Sequence, residues 1–353
     1  MTFEYTRLFH FAEGVFRAMG CSADDARQAT ETLLSADLRG VDSHGVARLS
    51  GYVRLWEAKR INATPRIGVV HETPSTAVID GDAGLGLVVA PRAMRLAIEK
   101  AQVAGTGWVA VRNSNHFGIA GYHAMLALPH DMIGIALTNA SPLVAPTYSL
   151  ERLLGTNPIS VAIPAGEQPP FVLDMATTTA AQGKMEILER KGLPAPAGWI
   201  QDRDGNASTN PTETRSGGAL IPLGGETGSH KGYGLGATVD ILSAVLSGAN
   251  YGPWVPPFVA FLQPPADPVG QGIGHFFGVM RVDAFRPAAE FKAHMDNWIE
   301  TFRKAKAVPN QQVLIPGDPE RRTTEQRLTE GIPLLQKVVD DLTGLGEKFG
   351  VQL

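Results

Sequence analysis

The hydrophobic pattern of this chain changes at "NATPRIG", residues 62–68, and that change limits what it can fold into. Residues 5–60 have helical spacing. Within them "SADDARQATETLLSADLRG" opens on Ser22 as N-cap, carries Asp24 and Asp25 in its first turn and stops at Gly40. Beyond the change come short apolar runs, "TAVIDG", "GWVAVRN", "MIGIALTN", "PISVAIPAG" and "PFVLDMA", which read as strands. One helix, "LVVAPRAMRLAIEKAQVAG", separates the first two despite Pro91 near its start, and a second is expected over 118–128. A polar, turn-rich excursion follows at 194–214, then a helix over 231–248 and a strand in "GHFFGVMRVDAF". From 287 the chain is helical and charged. The layout expected is an α/β protein with two parts. A helical part combines residues 1–70 with 287–353, the tail folding back on the beginning, and a strand-rich part covers 71–286.

Composition narrows the function classes. With 353 residues, 44% hydrophobic and 19% charged, the chain can bury a sizeable core. A net charge of −4 predicts no basic surface, so nucleic acid is not expected as a partner. The lone Cys21 cannot form an internal disulfide, fits a reducing compartment and rules out paired-cysteine metal motifs; no metal site is expected. The opening "MTFEYTRLFHF" lacks the pattern of a secretory signal, and "TVDILSAVLSGA" at 238–249 is too short to span a bilayer and contains Asp240. A cytoplasmic protein with no membrane partner is the expectation.

The segment "VDSHGVARLSGY", residues 41–52, gathers Ser43, His44, Arg48 and Tyr52. If it is helical, steps of four residues place His44, Arg48 and Tyr52 within a fan of roughly 80°. An imidazole exchanges protons near neutral pH, a guanidinium grips a carboxylate with two hydrogen bonds, and a phenol donates a third. Together they suit a small acid with a hydroxyl or keto group beside its carboxylate. The competing reading is a helix face whose polar residues meet only water.

"RNSNHFGIAGYHAML" places His116 at a strand-to-helix transition, with Asn115 as a candidate cap and Gly118 and Gly121 permitting close approach. His71, His123, His130, His275 and His294 lack such a context and read as structural or surface residues. "GDAGLG" at 81–86 has its glycines in the wrong order for a dinucleotide-binding turn, and the next strand ends in Arg112 and Asn113 rather than an acid. "FVLDMATTTAAQGKMEI" ends a strand in Asp174, and "GETGSHKGYGLG" sets Lys231 among glycines before a helix; both suggest a phosphorylated cofactor, though neither is a P-loop.

Taken in order, "DLRGVDSHGVARLSGY", "RNSNHFGIAGYHA", "TNASPLVAP", "GTNPISVAIPA", "FVLDMATTTAAQGK", "GSHKGYGLG" and "IPGDPE" resemble the successive motifs of the type 2 malate/L-lactate dehydrogenase family. That family is distinct in fold from the Rossmann dehydrogenases and includes sulfolactate, ureidoglycolate and piperideine-2-carboxylate oxidoreductases. The resemblance, from about residue 5 to 345, implies a non-Rossmann mixed sheet flanked by helices, plus a helical domain built from both termini. It implies an enzyme using NAD or NADP, usually a homodimer, that interconverts an (S)-2-hydroxy acid of malate or lactate type and its 2-oxo acid. By the same resemblance His44 is the acid/base and Arg48 holds the substrate carboxylate, with Ser43 and Tyr52 beside them. His116 lines the nicotinamide pocket and is the proton-transfer residue in some members. Ser141, Asp174, Met175, Ala176 and Lys231 lie along the cofactor, with Asn139 and Thr177 next to them, and Pro316, Gly317 and Asp318 cover its nucleotide end. Ser43 and Asp174 are the candidates for positioning the imidazole. The alternative is an NADPH-dependent cyclic imino acid reductase, but Lys184 and the "GIAGY" segment look more like the hydroxy-acid branch.

Overall fold

The computed structural model describes residues 1–353. Three helices come first, α1 (Tyr5–Ala18), α2 (Ala23–Leu38) and α3 (Leu49–Glu57). The sheet-bearing part follows as β1 (Gly68–Glu72), β2 (Thr76–Asp80), α4 (Gly86–Ala104), β3 (Thr106–Ser114), α5 (Ala120–Met125), β4 (Met132–Thr138), β5 (Ile159–Ile163) and β6 (Phe171–Met175). Then come α6 (Gln182–Arg190), α7 (Gly225–Asp240), β7 (Ile273–Arg281), α8 (Ala288–Arg303), α9 (Asp318–Glu330) and α10 (Gln336–Phe349).

β1 to β7 form one seven-stranded sheet in the order β1-β2-β3-β7-β4-β5-β6. Only the β2–β3 pair is parallel, and α4 supplies the crossover that a parallel pair requires. This is the mixed, non-Rossmann sheet the resemblance implied. Side chains alternate across it: on β7, Phe277 packs with Val89 and Met94 of α4 and Ala124 of α5, while Phe276 packs on the opposite face with Val239 of α7. Pro91 interrupts the α4 hydrogen-bond ladder, and the carbonyl of Leu87, four residues back, accepts instead from the Thr32 hydroxyl of α2 at 3.1 Å.

A second core lies between α1, α2, α3 and α10, where Leu8, Phe11, Leu33, Tyr52 and Leu342 are buried. Ser22 caps α2 as expected, accepting from the Asp25 N–H at 3.1 Å. The tail does fold back: Thr2–Phe3 pairs antiparallel with Ile332–Pro333, and Thr324 of α9 hydrogen-bonds the Leu38 carbonyl at 3.3 Å.

Some elements differ from expectation. β1 is a solvent-exposed edge strand, so it carries no apolar alternation to detect. The helix expected over 118–128 is α5 followed by a separate 3₁₀ turn at Leu128–His130. The helix expected from 231 begins at Gly225 and passes into a π-turn at Ile241–Val245. The polar excursion is not wholly superficial: Ile200 and Leu220, from its small three-stranded sheet, pack with Val144, Leu154 and Met185.

Phe277 is fully buried between α4, α5 and the sheet. Phe277→Ala is expected to lower unfolding free energy by about 3–5 kcal/mol in urea denaturation; a loss below about 1 kcal/mol would contradict this packing.

Candidate active site

The segment carrying His44 is not one helix. Two 3₁₀ turns, Asp42–His44 and Val46–Arg48, precede α3, and Arg48 is the α3 N-cap. His44, Arg48 and Tyr52 therefore do not share a single helical face, and the turn geometry brings them together instead. Asp37, in the last turn of α2, holds these turns in place. Its Oδ2 accepts the Val46 N–H at 2.8 Å, and its carboxyl lies 2.1 Å from where a Cβ on Gly45 would stand, so only glycine fits there. Burial raises the Asp37 carboxyl to about 8. From α9, Arg327 bonds both the Asp37 carbonyl and the Asp42 carboxylate, tying the tail to these turns.

The sequence-derived residues Ser43, His44, Arg48, Tyr52 and His116 converge. The Ser43 hydroxyl is 2.9 Å from His44 Nδ1, and the Ser43 carbonyl accepts from Arg48 Nε at 2.6 Å. Arg48 is thus fixed through one edge, with its terminal nitrogens remaining for a ligand. The His44 and His116 rings stack with centroids 5.5 Å apart. Tyr52, fully buried, meets His116 Nδ1 at 2.7 Å, and the Gly118 N–H points at the same nitrogen at 3.4 Å. A backbone N–H can only donate, so Nδ1 is the acceptor, the Tyr52 hydroxyl donates to it, and the His116 ring proton sits on Nε2. Both rings retain some accessibility, yet their surroundings disfavour the imidazolium. Burial, then the Arg48 charge, lowers His44 to about 4. Burial, then His44, Arg48 and His275, holds His116 well below the usual histidine range.

Asn115 does not cap α5. Its amide nitrogen donates to the carbonyls of Ala83 (2.8 Å) and Gly84 (3.0 Å), anchoring the loop that carries His116. The α5 start is held by Asp174 instead, whose Oδ2 accepts the Gly121 N–H at 2.8 Å. A Cβ on Gly121 would stand 2.5 Å from that oxygen. Burial raises Asp174 to about 6. Its hydrogen bond goes to this helix start and not to an imidazole; Ser43 alone of the two positioning candidates touches His44.

Met175 and Ala176 follow Asp174 at the end of β6, and the Pro316 carbonyl accepts the Val172 N–H at 2.9 Å, which brings the 315–318 loop onto this strand. Asn139 is buried, donating to Asp240 (2.9 Å) and the Asn250 carbonyl (2.8 Å) and accepting the Gly274 N–H (3.0 Å). Thr177 is buried on the carbonyls of Thr156 and Asn157. Asp318 pairs with Arg303 and Arg321 and caps the Ile315 N–H. These three side chains are engaged within the protein. Lys231 is exposed on α7, and Gly228 and Gly234, one turn to either side, have open space where a Cβ would stand. This cationic, glycine-lined surface fits a phosphate-bearing cofactor.

Sequence reasoning missed several residues at the site. Asp37 follows Leu33 by four residues on the buried face of α2, an acid where a core residue belongs, and that signal was readable. Gly183, in the first turn of α6, faces Ser43 closely enough that its Cβ would lie 2.9 Å from the serine Cβ. Phe258 lies against His116 at 4.4 Å and Tyr52 at 5.0 Å between ring centroids, contacts across 142 and 206 residues that no local pattern announces.

Two imidazoles whose surroundings favour the uncharged form lie beside one guanidinium, an arrangement suited to a small acid with a hydroxyl or keto group next to its carboxylate. A family model described as malate/L-lactate dehydrogenase matches residues 3–343, and the chain belongs to that family. It is 45% identical over 350 residues to a malate dehydrogenase from Pyrococcus horikoshii, covering 98% of this chain and 95% of that one. It is 37% identical over 340 residues to the L-sulfolactate dehydrogenase of Methanocaldococcus jannaschii, covering 96% and 94%. The crystal structure of malate dehydrogenase from Entamoeba histolytica superposes with a TM-score of 0.93 at 33% identity, covering 100% of this chain and 99% of that one.

Asp37 is protonated in the folded protein up to about pH 8, whereas in the unfolded chain it ionises near its ordinary value of 3.8. A raised carboxyl contributes stability that is complete below the unfolded pKa and is lost as pH rises toward the folded one. Asp37→Asn removes this dependence. Its stability relative to the unsubstituted protein is therefore expected to rise between pH 4 and 8 in denaturant titrations; a difference independent of pH would contradict the assignment.

Proposed function

We propose that His44 is the acid/base of a hydride-transfer reaction on a small (S)-2-hydroxy acid of malate or lactate type, with Arg48 gripping the C1 carboxylate. The observation that carries this reading is the cluster itself: Ser43 on His44 Nδ1 at 2.9 Å, Tyr52 on His116 Nδ1 at 2.7 Å, and the two rings stacked at 5.5 Å beside Arg48. During oxidation His44 Nε2 takes the hydroxyl proton while C2 gives up its hydrogen with both electrons. In the reverse direction the imidazolium returns the proton to the oxygen. His116, with its proton fixed on Nε2, donates a hydrogen bond to the same oxygen and polarises the carbonyl without itself carrying charge. Arg48 orients the substrate so that C2 faces the cofactor. A nicotinamide, NAD or NADP, would when bound supply the hydride chemistry.

Met175, Ala176, Lys231 and the Pro316–Gly317 turn would hold the cofactor, with Asp174 shaping the site by fixing the α5 start and Ser141 by fixing the segment at 256–258; Lys231, exposed between two open glycines, is suited to a phosphate. The helical part, residues 1–70 with 287–353, and the sheet-bearing part, 71–286, would form the two sides of the substrate cleft, since Tyr52 belongs to the first and His116 to the second. We also propose a cytoplasmic homodimer that binds neither nucleic acid nor membrane. Exposed Ile241, Val245 and Leu246, one turn apart on the outer side of α7's extension, support a subunit interface. No helix among the described residues is long and apolar enough to cross a membrane.

The test of the reading is a reduction screen with NADH and NADPH on pyruvate, oxaloacetate, sulfopyruvate and piperideine-2-carboxylate. Turnover on a 2-oxo acid is expected; turnover confined to the cyclic imine would overturn the substrate assignment. Within that reaction His44→Ala is expected to lower kcat by about 10²–10⁴-fold, with cofactor binding retained in fluorescence titration, and near-normal kcat would transfer the proton role to His116. Because His44 is lowered to about 4, it stays neutral and competent as a base well below pH 6.5. In the oxidation direction the acid limb of kcat/KM should accordingly lie below pH 5; a limb at the ordinary histidine value would refute that environment.

A further inference from the structure

A proline-rich segment, "PPFVAFL" at 256–262, runs beside the histidine cluster without regular secondary structure. Two successive prolines fix its direction and remove two N–H groups, so it cannot pair as a strand. Side chains hold its backbone instead. The Arg60 guanidinium, just beyond α3, collects three of its carbonyls, donating through Nη1 to Val259 (3.2 Å) and Leu262 (3.3 Å) and through Nη2 to Pro257. Ser141, on the sheet side, donates its hydroxyl to the Pro256 carbonyl at 3.2 Å and accepts the Phe258 N–H at 3.2 Å. The segment is therefore strapped to both sides of the cleft at once. Phe258 is turned inward against His116 and Tyr52 and across Gly51, where a Cβ would stand 3.3 Å from the ring, whereas Phe261, three residues on, is 80% exposed.

The substrate's position follows from the groups already placed. With C1 at the Arg48 fork and the C2 oxygen at the imidazoles, C3 and beyond would leave past those rings, one side of which is covered by Phe258. Phe258 is in van der Waals reach of His116 and of Tyr52, which lies one helical turn from Arg48. Its ring offers bulk and no charge. It would limit the length and breadth of the side chain and would contribute nothing to binding a distal anion.

We propose that Phe258 determines the substrate side chain, restricting this enzyme to compact three- and four-carbon 2-oxo acids, and that Arg60 is the positioning residue that holds Phe258 in place. This rests on the 2-hydroxy acid dehydrogenase reading of the same site. The test compares kcat/KM for phenylpyruvate and 2-oxo-4-methylpentanoate with that for pyruvate and oxaloacetate. Phe258→Ala is expected to raise the bulky-to-compact ratio at least tenfold, and Phe258→Leu to raise it by less. Arg60→Gln should move the ratio in the same direction with Phe258 intact, and Arg60→Lys should restore part of the original preference. A purely structural role for Arg60 would lower all four rates together and leave the ratio alone.

An unmoved ratio in a folded Phe258→Ala protein, checked by circular dichroism, would overturn the proposal. If that variant does not fold, Phe258→Leu and Arg60→Gln decide the matter by the same ratio. Efficient phenylpyruvate turnover by the unsubstituted enzyme would also overturn it. Absence of turnover on every 2-oxo acid would instead defeat the underlying dehydrogenase reading, a distinct result.

Discussion

The hydrogen bond between the Tyr52 hydroxyl and His116 Nδ1 joins two parts of the molecule that fold around different cores. Tyr52 is anchored in the helical cluster with Leu8, Leu33 and Leu342, whereas His116 hangs from the loop after β3, held by Asn115 on the carbonyls of Ala83 and Gly84. The 2.7 Å contact fixes the relative placement of these parts at the one point where reaction geometry requires it. The Gly118 N–H aimed at the same nitrogen makes Nδ1 the acceptor and leaves the His116 proton on Nε2. A phenol this buried has its own ionisation pushed far up, so it remains a donor across the working pH range.

Charge is sparse in this cluster by construction. Burial favours the uncharged forms of His44 and His116 and raises the carboxyls of Asp37, which lies against Gly45, and of Asp174, which is turned toward α5. The Arg48 guanidinium is the cation that acts on both imidazoles. A substrate carboxylate arriving at Arg48 would neutralise the cation that now lowers His44, easing protonation of the imidazole when the keto acid is bound. With the roles proposed for Arg48 and His44, binding and proton transfer would be coupled through this electrostatic interaction, on top of the larger effect of burial. No cluster of metal-ligating side chains occurs among the described residues.

What was legible in the sequence was local. The helix from Ser22, the strand runs from 76 to 175 and the convergence of Ser43, His44, Arg48 and Tyr52 all follow from caps, alternation and residue chemistry within a dozen positions. The errors fall where distant segments meet. One exception is local: the segment 42–48 forms two 3₁₀ turns because Asp37, eight residues before Gly45, occupies the space beside it and takes the Val46 N–H. Asn115 reads as a cap but reaches back to the loop at 83–84, and Asp174 caps the helix from 53 residues away. Phe258 meets His116 only after 142 residues of intervening chain, and Arg60 has no visible role until the 257–262 segment reaches it some 200 residues later.

The most direct test of the central claim, that a neutral, Tyr52-oriented His116 presents Nε2–H beside a neutral His44, is histidine side-chain ¹⁵N NMR on the protein across pH 5–8. Assignment would come from His44→Gln and His116→Gln variants. Expected are neutral signatures for both rings throughout, with His116 in the Nε2–H form and its pattern altered by Tyr52→Phe. An imidazolium at His44 or His116 near pH 6, or a proton on His116 Nδ1, would contradict the geometry on which the mechanism depends.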